Sequence, residues 1–306
     1  MEKIRSKKVV MIAIDRNSVE IPDILKDGSE KLKKELEEAI AYYSDPANTK
    51  AFKFKVYSNP TVKEALIKMS IGKCAYCESD ILVTYVGDIE HFRPKGEIEE
   101  LKATGNSKPG YYWLAANWDN LLLSCRNCNQ KSKQRTASDD RLNSLGKMNQ
   151  FPLFDETKRA RSPEDNFQEE EKVRLLLNPC IEDPEEYFKY NINSGVIQPK
   201  KQEEFPKQRA LASVKVFGLQ RVPLVHARAK KAVQILKQMT RVERRYKDLL
   251  RAIDDEADDI PDRQEELDWE IEELHSFLNP TEEYLGMARQ MIGEFMQKNF
   301  QLDISA

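Results

Sequence analysis

Two cysteine pairs constrain the fold of this chain more than any other feature of its sequence. Cys74 and Cys77 form one C-x-x-C pair, and Cys125 and Cys128 form a second pair after residues 78–124. Two-residue spacing lets both thiolates of a pair reach one ion, and two pairs complete the tetrahedral thiolate site that zinc favours. The sequence therefore predicts a structural zinc site that joins two distant segments of the chain.

Other interpretations of a single C-x-x-C sequence are a redox pair or two small buried residues. Two pairs in one chain fit neither interpretation well. The fifth cysteine, Cys180, has no partner in the sequence and is predicted to be a buried thiol. Cysteines spaced for a metal are typical of a reducing compartment, so we expect a cytoplasmic protein.

Length and composition are those of a globular chain. Its 306 residues are enough for one large domain or two smaller ones, and its 40% apolar content is enough for a hydrophobic core. No stretch approaches the roughly 18 consecutive apolar residues of a membrane helix, so we expect neither a membrane span nor a signal peptide. The net charge of -3 gives no indication of nucleic-acid binding.

Charge is nonetheless distributed unevenly along the chain. Lys200 to Arg251 contains 15 Lys and Arg residues against 4 Asp and Glu residues, whereas 252–306 contains 3 against 16. The basic block is interpreted as either a solvated helix face or a nucleic-acid groove. We expect the acidic block either to shield the basic block or to bind a partner.

Apolar periodicity predicts a mainly α-helical protein with a small α+β insert. Ser29 is predicted to cap a helix whose apolar stripe contains Leu32, Leu36 and Ile40. Pro60 is predicted to begin a second helix. Both are expected to be packing helices that precede the first cysteine pair.

Later segments alternate between short strands and long helices. Strand-like runs occur at Ile81–Val86 and Ile89–Phe92, and Tyr187–Pro199 has the pattern of a β-hairpin. An apolar stripe from Val225 to Leu250 predicts a long helix. Asn279-Pro280 is predicted to open the last helix.

The segment around the cysteine pairs contains an acid–histidine pair and two asparagines. Glu90-His91 lies in a strand-like run, Asn120 precedes the second cysteine pair, and Asn129 follows it directly. This order resembles the HNH nuclease motif, in which a strand pair and a helix hold one divalent ion in the ββα-metal fold. The final histidine of that motif is Asn129 here, which makes the sequence an HNN variant whose amide oxygen still suits a hard cation such as Mg²⁺.

Each of these residue types suits a step of phosphodiester hydrolysis. His91 titrates near neutral pH and is predicted to be the general base that takes a proton from water. Glu90 and Asn129 are predicted to hold a catalytic Mg²⁺ or Mn²⁺ ion. Asp88, on the same strand face as Glu90, is a rival or additional ligand. Asn120 is predicted to orient His91 by hydrogen bonding.

Basic side chains lie close in sequence to this site and are predicted to bind backbone phosphates: Arg93, Lys95, Arg126, Lys131 and Lys133. His226 and His275 lack such neighbours and are interpreted as structural or solvent-facing. The predicted organisation is a helical segment at 1–72, an HNH ββα-metal module with the zinc site at 73–150, and a mainly helical region at 151–306 with its hairpin near 187–199.

Further motifs extend the resemblance over roughly half of the chain, from about Val62 to about Arg228. Five segments are similar to the PtuB-type HNH proteins, which include the nuclease subunit of Septu and of related retron-associated anti-phage systems: Lys73–Glu78, Ile89–Lys95, Tyr112–Cys125, Leu177–Cys180 and Phe217–Leu219. In that family the nuclease works with PtuA, an ABC-type ATPase. The resemblance therefore implies nucleic acid, foremost DNA, as substrate and such an ATPase as partner.

A second class of function is consistent with the same residues. A zinc-knuckle protein would bind nucleic acid or a protein partner without cutting, the Asn129 replacement having weakened catalysis. The long apolar stripes would serve a core, a homo-oligomer or an ATPase interface equally well.

Overall fold

The computed structural model describes residues 13–45, 47–48 and 50–301. About half of the chain is helical, and the strands in the described residues form small two-stranded sheets. The α-helices are α1 (Glu30–Ser44), α2 (Pro60–Ser70), α3 (Arg126–Asn129), α4 (Phe167–Val173), α5 (Glu204–Val216), α6 (Val222–Asp254), α7 (Ile260–Ser276) and α8 (Leu285–Phe300). The strands are β1 (Asp88–His91), β2 (Leu121–Ser124), β3 (Ser132–Thr136), β4 (Asp139–Leu145), β5 (Phe188–Asn191) and β6 (Val196–Pro199).

Short 3-10 helices connect several of these elements. They span Arg16–Ser18, Asp23–Leu25, Val56–Ser58, Glu99–Thr104, Tyr112–Leu114, Trp118–Asn120, Glu156–Lys158 and Pro184–Glu186. None of the helices in the described ranges is both long and apolar enough to cross a membrane.

The first two α-helices begin where the sequence predicts. The Ser29 hydroxyl accepts a hydrogen bond from the Leu32 amide at 3.3 Å and caps α1, and Pro60 is the first residue of α2. The predicted stripe of α1 is only partly right, because Ile40 is 37% exposed and Ala39 is the buried residue of this helix.

The central strand pair contains only one of the two predicted strand-like runs, Ile89–Phe92, shifted by one residue. β1 pairs antiparallel with β2, so that Asp88 lies opposite Ser124 and His91 opposite Leu121. Ile81–Val86 forms turns and irregular chain, so its prediction as a strand-like run was wrong. Gly87 has φ +71°, and a Cβ there would lie 2.7 Å from Leu123, so the turn into β1 requires glycine.

Two hairpins follow the central pair. β3 and β4 form an antiparallel hairpin that the sequence analysis missed, since its strands are polar and lack an apolar alternation. The predicted hairpin at Tyr187–Pro199 is confirmed as β5 and β6.

The chain divides into two compact units. The larger unit comprises Ala13–Phe188 and Pro199–Arg221; the smaller comprises Lys189–Gln198 and the described part of 222–306. The predicted boundaries at residues 72 and 150 both fall inside the larger unit.

Within the smaller unit, α7 and α8 pack against α6. Arg245 of α6 pairs with Glu266 of α7 at 2.9 Å, so the basic and acidic blocks meet in this unit. The last helix begins at Leu285, later than predicted from Asn279-Pro280.

Candidate zinc and catalytic sites

The two cysteine pairs converge into one buried cluster. The Sγ atoms of Cys74, Cys77, Cys125 and Cys128 all lie within 4.8 Å of one another. A Zn–S bond of about 2.3 Å places the sulfurs of a regular tetrahedron about 3.8 Å apart. The Sγ atoms of Cys77 and Cys125 are separated by 3.8 Å. The cluster therefore has the donors and the spacing that a zinc ion requires.

The chain just before α6 supports this cluster. Arg221 is buried, and its guanidinium donates to the sulfurs of Cys128 at 3.4 Å and Cys125 at 3.8 Å. Tyr76, between the first two cysteines, stacks on Phe217 with ring centroids 3.8 Å apart. Four thiolates around a dication leave a net negative charge, which the Arg221 guanidinium partly offsets.

The start of β1 carries an oxygen-rich cluster. One carboxylate oxygen of Asp88 accepts hydrogen bonds from the amides of Asn129, at 3.0 Å, and Gln130, at 3.1 Å. The other oxygen accepts from the Tyr85 hydroxyl, which raises the pKa of Tyr85 to about 12. Because α3 follows β2 after one residue, its end lies beside the first residue of β1. The predicted ligands Asp88 and Asn129 are thus brought together.

Glu90 is engaged elsewhere. Its carboxylate pairs with the Lys147 ammonium at 2.8 Å, and the side chains are 4% and 0% exposed. The same ammonium donates to the backbone carbonyl of His91 at 2.8 Å. Burial raises the pKa of Glu90, and Lys147 opposes this effect. In this structure Glu90 is paired with Lys147, whereas Asn129 contacts Asp88.

Gly146 allows the backbone to take the path that places Lys147 in the core. Gly146 has φ +115°, and a Cβ there would lie 2.2 Å from the Gln130 carbonyl oxygen. The chain can approach α3 this closely only with glycine at this position. The Lys147 amide then donates to the Cys128 carbonyl at 2.8 Å, which fixes Lys147 next to the zinc knuckle.

His91, at the end of β1, is 6% exposed and has both ring nitrogens in hydrogen bonds. Its Nε2 lies 2.8 Å from the Ala115 carbonyl oxygen, and its Nδ1 lies 3.3 Å from the Lys95 ammonium. A carbonyl oxygen only accepts, so Nε2 carries the proton and Nδ1 is the basic nitrogen. Burial, then the charge of Lys95, holds the pKa of His91 well below its usual value.

Asn120 acts on the backbone beyond His91. Its Oδ1 accepts from the Arg93 amide at 2.7 Å, and its Nδ2 donates to the carbonyl oxygens of Arg93 at 3.0 Å and Leu114 at 3.1 Å. Asn120 was predicted to orient His91 by hydrogen bonding. The bonds it forms instead join the chain after β1 to the segment that supplies the Ala115 carbonyl.

The five basic residues predicted to bind phosphate differ in availability. Arg93 is 8% exposed and pairs with Glu170 at 2.7 Å and with Glu171, so its guanidinium is committed to internal ion pairs. Lys131 is exposed and pairs with Glu99. Arg126 and Lys133 are also exposed, whereas Lys95 is partly buried beside His91.

Sequence reasoning missed four residues of these sites. Lys147 and Arg221 lie far along the chain from the groups that they contact, and no local motif marks them. The Ala115 carbonyl lies within the Tyr112–Cys125 segment, but nothing in that segment linked it to His91. Tyr57 packs its ring edge-to-face on His91 with centroids 4.6 Å apart. An aromatic residue just before the predicted helix at Pro60 was visible in the sequence, but nothing linked it to the histidine.

No protein-family model matches the chain. Curated proteins similar to it come from Septu systems. The Septu protein PtuB of Bacillus mycoides (strain KBAB4) is 36% identical over 263 residues, which cover 82% of this chain and 80% of that protein. A Septu protein PtuB of Bacillus thuringiensis is 40% identical over 78 residues, 25% of each chain.

A third similar protein carries a different name. The Septu protein PtuA of Bacillus mycoides (strain KBAB4) is 28% identical over 163 residues, which cover 52% of this chain and 19% of that protein. The similarity to the first PtuB extends over most of both chains. The chain therefore belongs to the Septu PtuB family.

Proposed function

We propose that this protein is a divalent-metal-dependent HNH endonuclease that hydrolyses phosphodiester bonds of DNA in anti-phage defence. One observation carries the proposal: β1, β2 and α3 place Asp88 and Asn129 in contact, at 3.0 Å, and end β1 on a buried, neutral His91. The resemblance to the ββα-metal fold predicts two strands followed by a helix, with these side chains.

His91 is the proposed general base. The Ala115 carbonyl holds the proton on Nε2, which makes Nδ1 the nitrogen that would accept a proton from water once its contact with Lys95 is exchanged. The low pKa of His91 keeps the imidazole unprotonated at neutral pH. Asn120 acts as a positioning residue, because it bonds the backbone at Arg93, after His91, and at Leu114, next to Ala115.

Asp88 and Asn129 are the proposed holders of Mg²⁺ or Mn²⁺. A carboxylate with a neighbouring amide fits a hard cation that takes its remaining ligands from water and substrate phosphate. Rotation of the Asn129 amide presents Oδ1 in place of Nδ2. Glu90 would join them only by leaving Lys147. When bound, such an ion stabilises negative charge on the phosphorus centre and the leaving oxygen.

The zinc cluster has a structural role in this proposal. Four thiolates fill the coordination sphere of zinc, so the cluster has no open position for a substrate. It fixes Cys125–Cys128, and with them α3 and Asn129, beside β1.

We propose an ABC-type ATPase of the PtuA kind as partner. The support is membership of the PtuB family, together with the occurrence of PtuA among the similar proteins. Co-purification of the two subunits, with and without ATP, tests this directly. Failure of the subunits to associate under either condition would contradict the partnership.

One observation favours the second candidate function, a zinc-knuckle module that binds nucleic acid without cutting it. His91 is 6% exposed and has no ring nitrogen without a hydrogen-bond partner. A base in that state cannot take a proton from water until one of these bonds is exchanged.

Plasmid cleavage distinguishes the two candidates. The purified protein, alone and with its ATPase, is incubated with plasmid in Mg²⁺, in Mn²⁺ and in EDTA. We expect metal-dependent cutting that His91→Ala lowers by roughly 10²–10⁴-fold. His226→Ala, which removes an exposed histidine on α6, is the matched control and leaves the rate unchanged. Zinc-loaded protein that shifts plasmid in a gel but never cuts it would support the binding module.

A further inference from the structure

Lys95 is a mostly buried cation that is not paired with a carboxylate in the described part of the chain. Among the described residues no carboxylate forms a salt bridge with it, and its ammonium instead contacts His91 Nδ1 at 3.3 Å and lies 4.4 Å from the centre of the Tyr57 ring. Burial lowers the pKa of Lys95 to about 8, with Glu90 opposing and Lys147 reinforcing that effect. A buried cation in this condition is stabilised by any anion that reaches it.

Tyr57 organises the contact between the two groups. Its ring packs edge-to-face against His91 and presents its face to Lys95, so one side chain supports both the base and the cation. Tyr57 lies in the 3-10 helix Val56–Ser58, which the Glu35 carboxylate anchors by accepting from the Val56 amide at 3.1 Å. The ring is therefore held by a fixed piece of backbone.

We propose that Lys95 caps the basic nitrogen of His91 in the resting protein, that a substrate phosphate draws Lys95 away, and that Tyr57 positions both side chains for this exchange. The inference rests on the proposed function for the identity of the reacting groups. The exchange would let His91 serve as a base although both of its ring nitrogens form hydrogen bonds in the resting protein.

The exchange is favourable because an ammonium–phosphate bond pairs opposite charges, whereas the ammonium–imidazole bond does not. Once Lys95 binds the phosphate, Nδ1 is free. The proton of the attacking water then passes to Nδ1, and the water oxygen forms a bond to phosphorus. The bond from phosphorus to the leaving oxygen breaks, and that oxygen keeps the electron pair. The base becomes available only where a phosphate is already bound.

Nitrogen NMR of histidine-labelled protein tests the cap without relying on cleavage. The chain has 3 histidines, so a His91→Gln sample assigns the His91 resonances. A hydrogen-bond donor on Nδ1 moves its resonance upfield. We expect that upfield position in the wild type, and a downfield move when inorganic phosphate or a short single-stranded DNA is added in EDTA, where no turnover occurs.

Variants assign the effect to the two side chains. Lys95→Met is expected to show the downfield position without any probe and no further move with it. Lys68→Met, at an exposed lysine of α2, is the matched control and is expected to behave as the wild type. Tyr57→Leu is expected to weaken the cap, whereas Tyr57→Phe keeps the ring and the wild-type spectrum.

The outcomes separate this inference from the proposed function. An Nδ1 resonance that is identical in the wild type and Lys95→Met, or that ignores a bound probe, overturns the cap even if the protein cuts DNA. A resonance that responds to phosphate in a protein that never cuts DNA leaves the exchange standing and removes the nuclease.

Discussion

Replacing Lys147 by methionine is expected to destabilise the larger unit strongly. The substitution keeps most of the side-chain volume but removes the ammonium that neutralises Glu90 and bonds the His91 carbonyl. Both side chains of the ion pair are almost fully buried, so water cannot replace the lost partner. Removal of one member of such a pair costs about 3–5 kcal/mol.

The orphaned His91 carbonyl adds to this loss. A buried acceptor left without a donor costs about 1–3 kcal/mol, although the two effects overlap at one site. We therefore take about 4 kcal/mol as the expected loss in the free energy of unfolding. For a unit of this size that corresponds to a fall in Tm of roughly 8–16 °C.

Thermal unfolding of zinc-loaded protein, followed by circular dichroism, measures the effect. Lys131→Met is the matched control, because Lys131 pairs with Glu99 at the surface, where an ion pair contributes about 0–1 kcal/mol. A double variant that also carries Glu90→Leu removes the orphaned charge and should recover much of the loss. A Lys147→Met protein as stable as Lys131→Met, or a double variant no more stable than Lys147→Met, would contradict a buried ion pair of this strength.

Three further predictions concern the zinc site and Lys95. Cys128→Ser should abolish stoichiometric zinc in elemental analysis of the purified protein, and full zinc content would contradict the tetrathiolate site. Arg221→Met should speed zinc transfer to a chromogenic chelator relative to Arg221→Lys, which keeps the charge; equal rates would deny Arg221 a role at the thiolates. Because the pKa of Lys95 is lowered to about 8 by burial among His91, Tyr57, Glu90 and Lys147, phosphate binding should weaken as pH rises through that value. Lys95→Arg stays protonated and should keep binding to higher pH, whereas an unchanged midpoint would show that Lys95 does not hold the phosphate.

The four-cysteine cluster was predictable from the sequence because ligand spacing is a local property. A C-x-x-C pair brings two sulfurs to one ion whatever the rest of the chain does, and a second pair completes the site. The start of α1 at Ser29 and the hairpin at Tyr187–Pro199 were predictable for the same reason. Capping and tight-turn chemistry act over a few residues.

Contacts between distant segments were not predictable in this way. Lys147 pairs with Glu90, which lies more than fifty residues earlier in the sequence. The contact depends on the close approach of the chain at Gly146, which appears only in the folded structure. This contact decides which carboxylate remains at the proposed ion site. Arg93 shows the converse. Its position beside the Glu90-His91 pair suggests phosphate binding, but its side chain is buried against Glu170.

The β3–β4 hairpin was missed because its strands carry no apolar alternation. Their side chains are mostly exposed, so the strands need no alternating apolar residues for a sequence pattern to reveal. The late start of α8 was missed because Asn279-Pro280 is a helix-opening pattern that also suits a turn.

Cleavage and Mn²⁺ binding, measured on the same zinc-loaded samples, test whether His91 and Asp88 form a metal-dependent nuclease site. The wild type, His91→Ala and Asp88→Asn are compared for bound Mn²⁺ by electron paramagnetic resonance and for DNA cutting with the ATPase present. The account predicts that His91→Ala keeps zinc and Mn²⁺ but loses cutting, and that Asp88→Asn keeps zinc but loses both Mn²⁺ and cutting. Cutting by His91→Ala at the wild-type rate would contradict it.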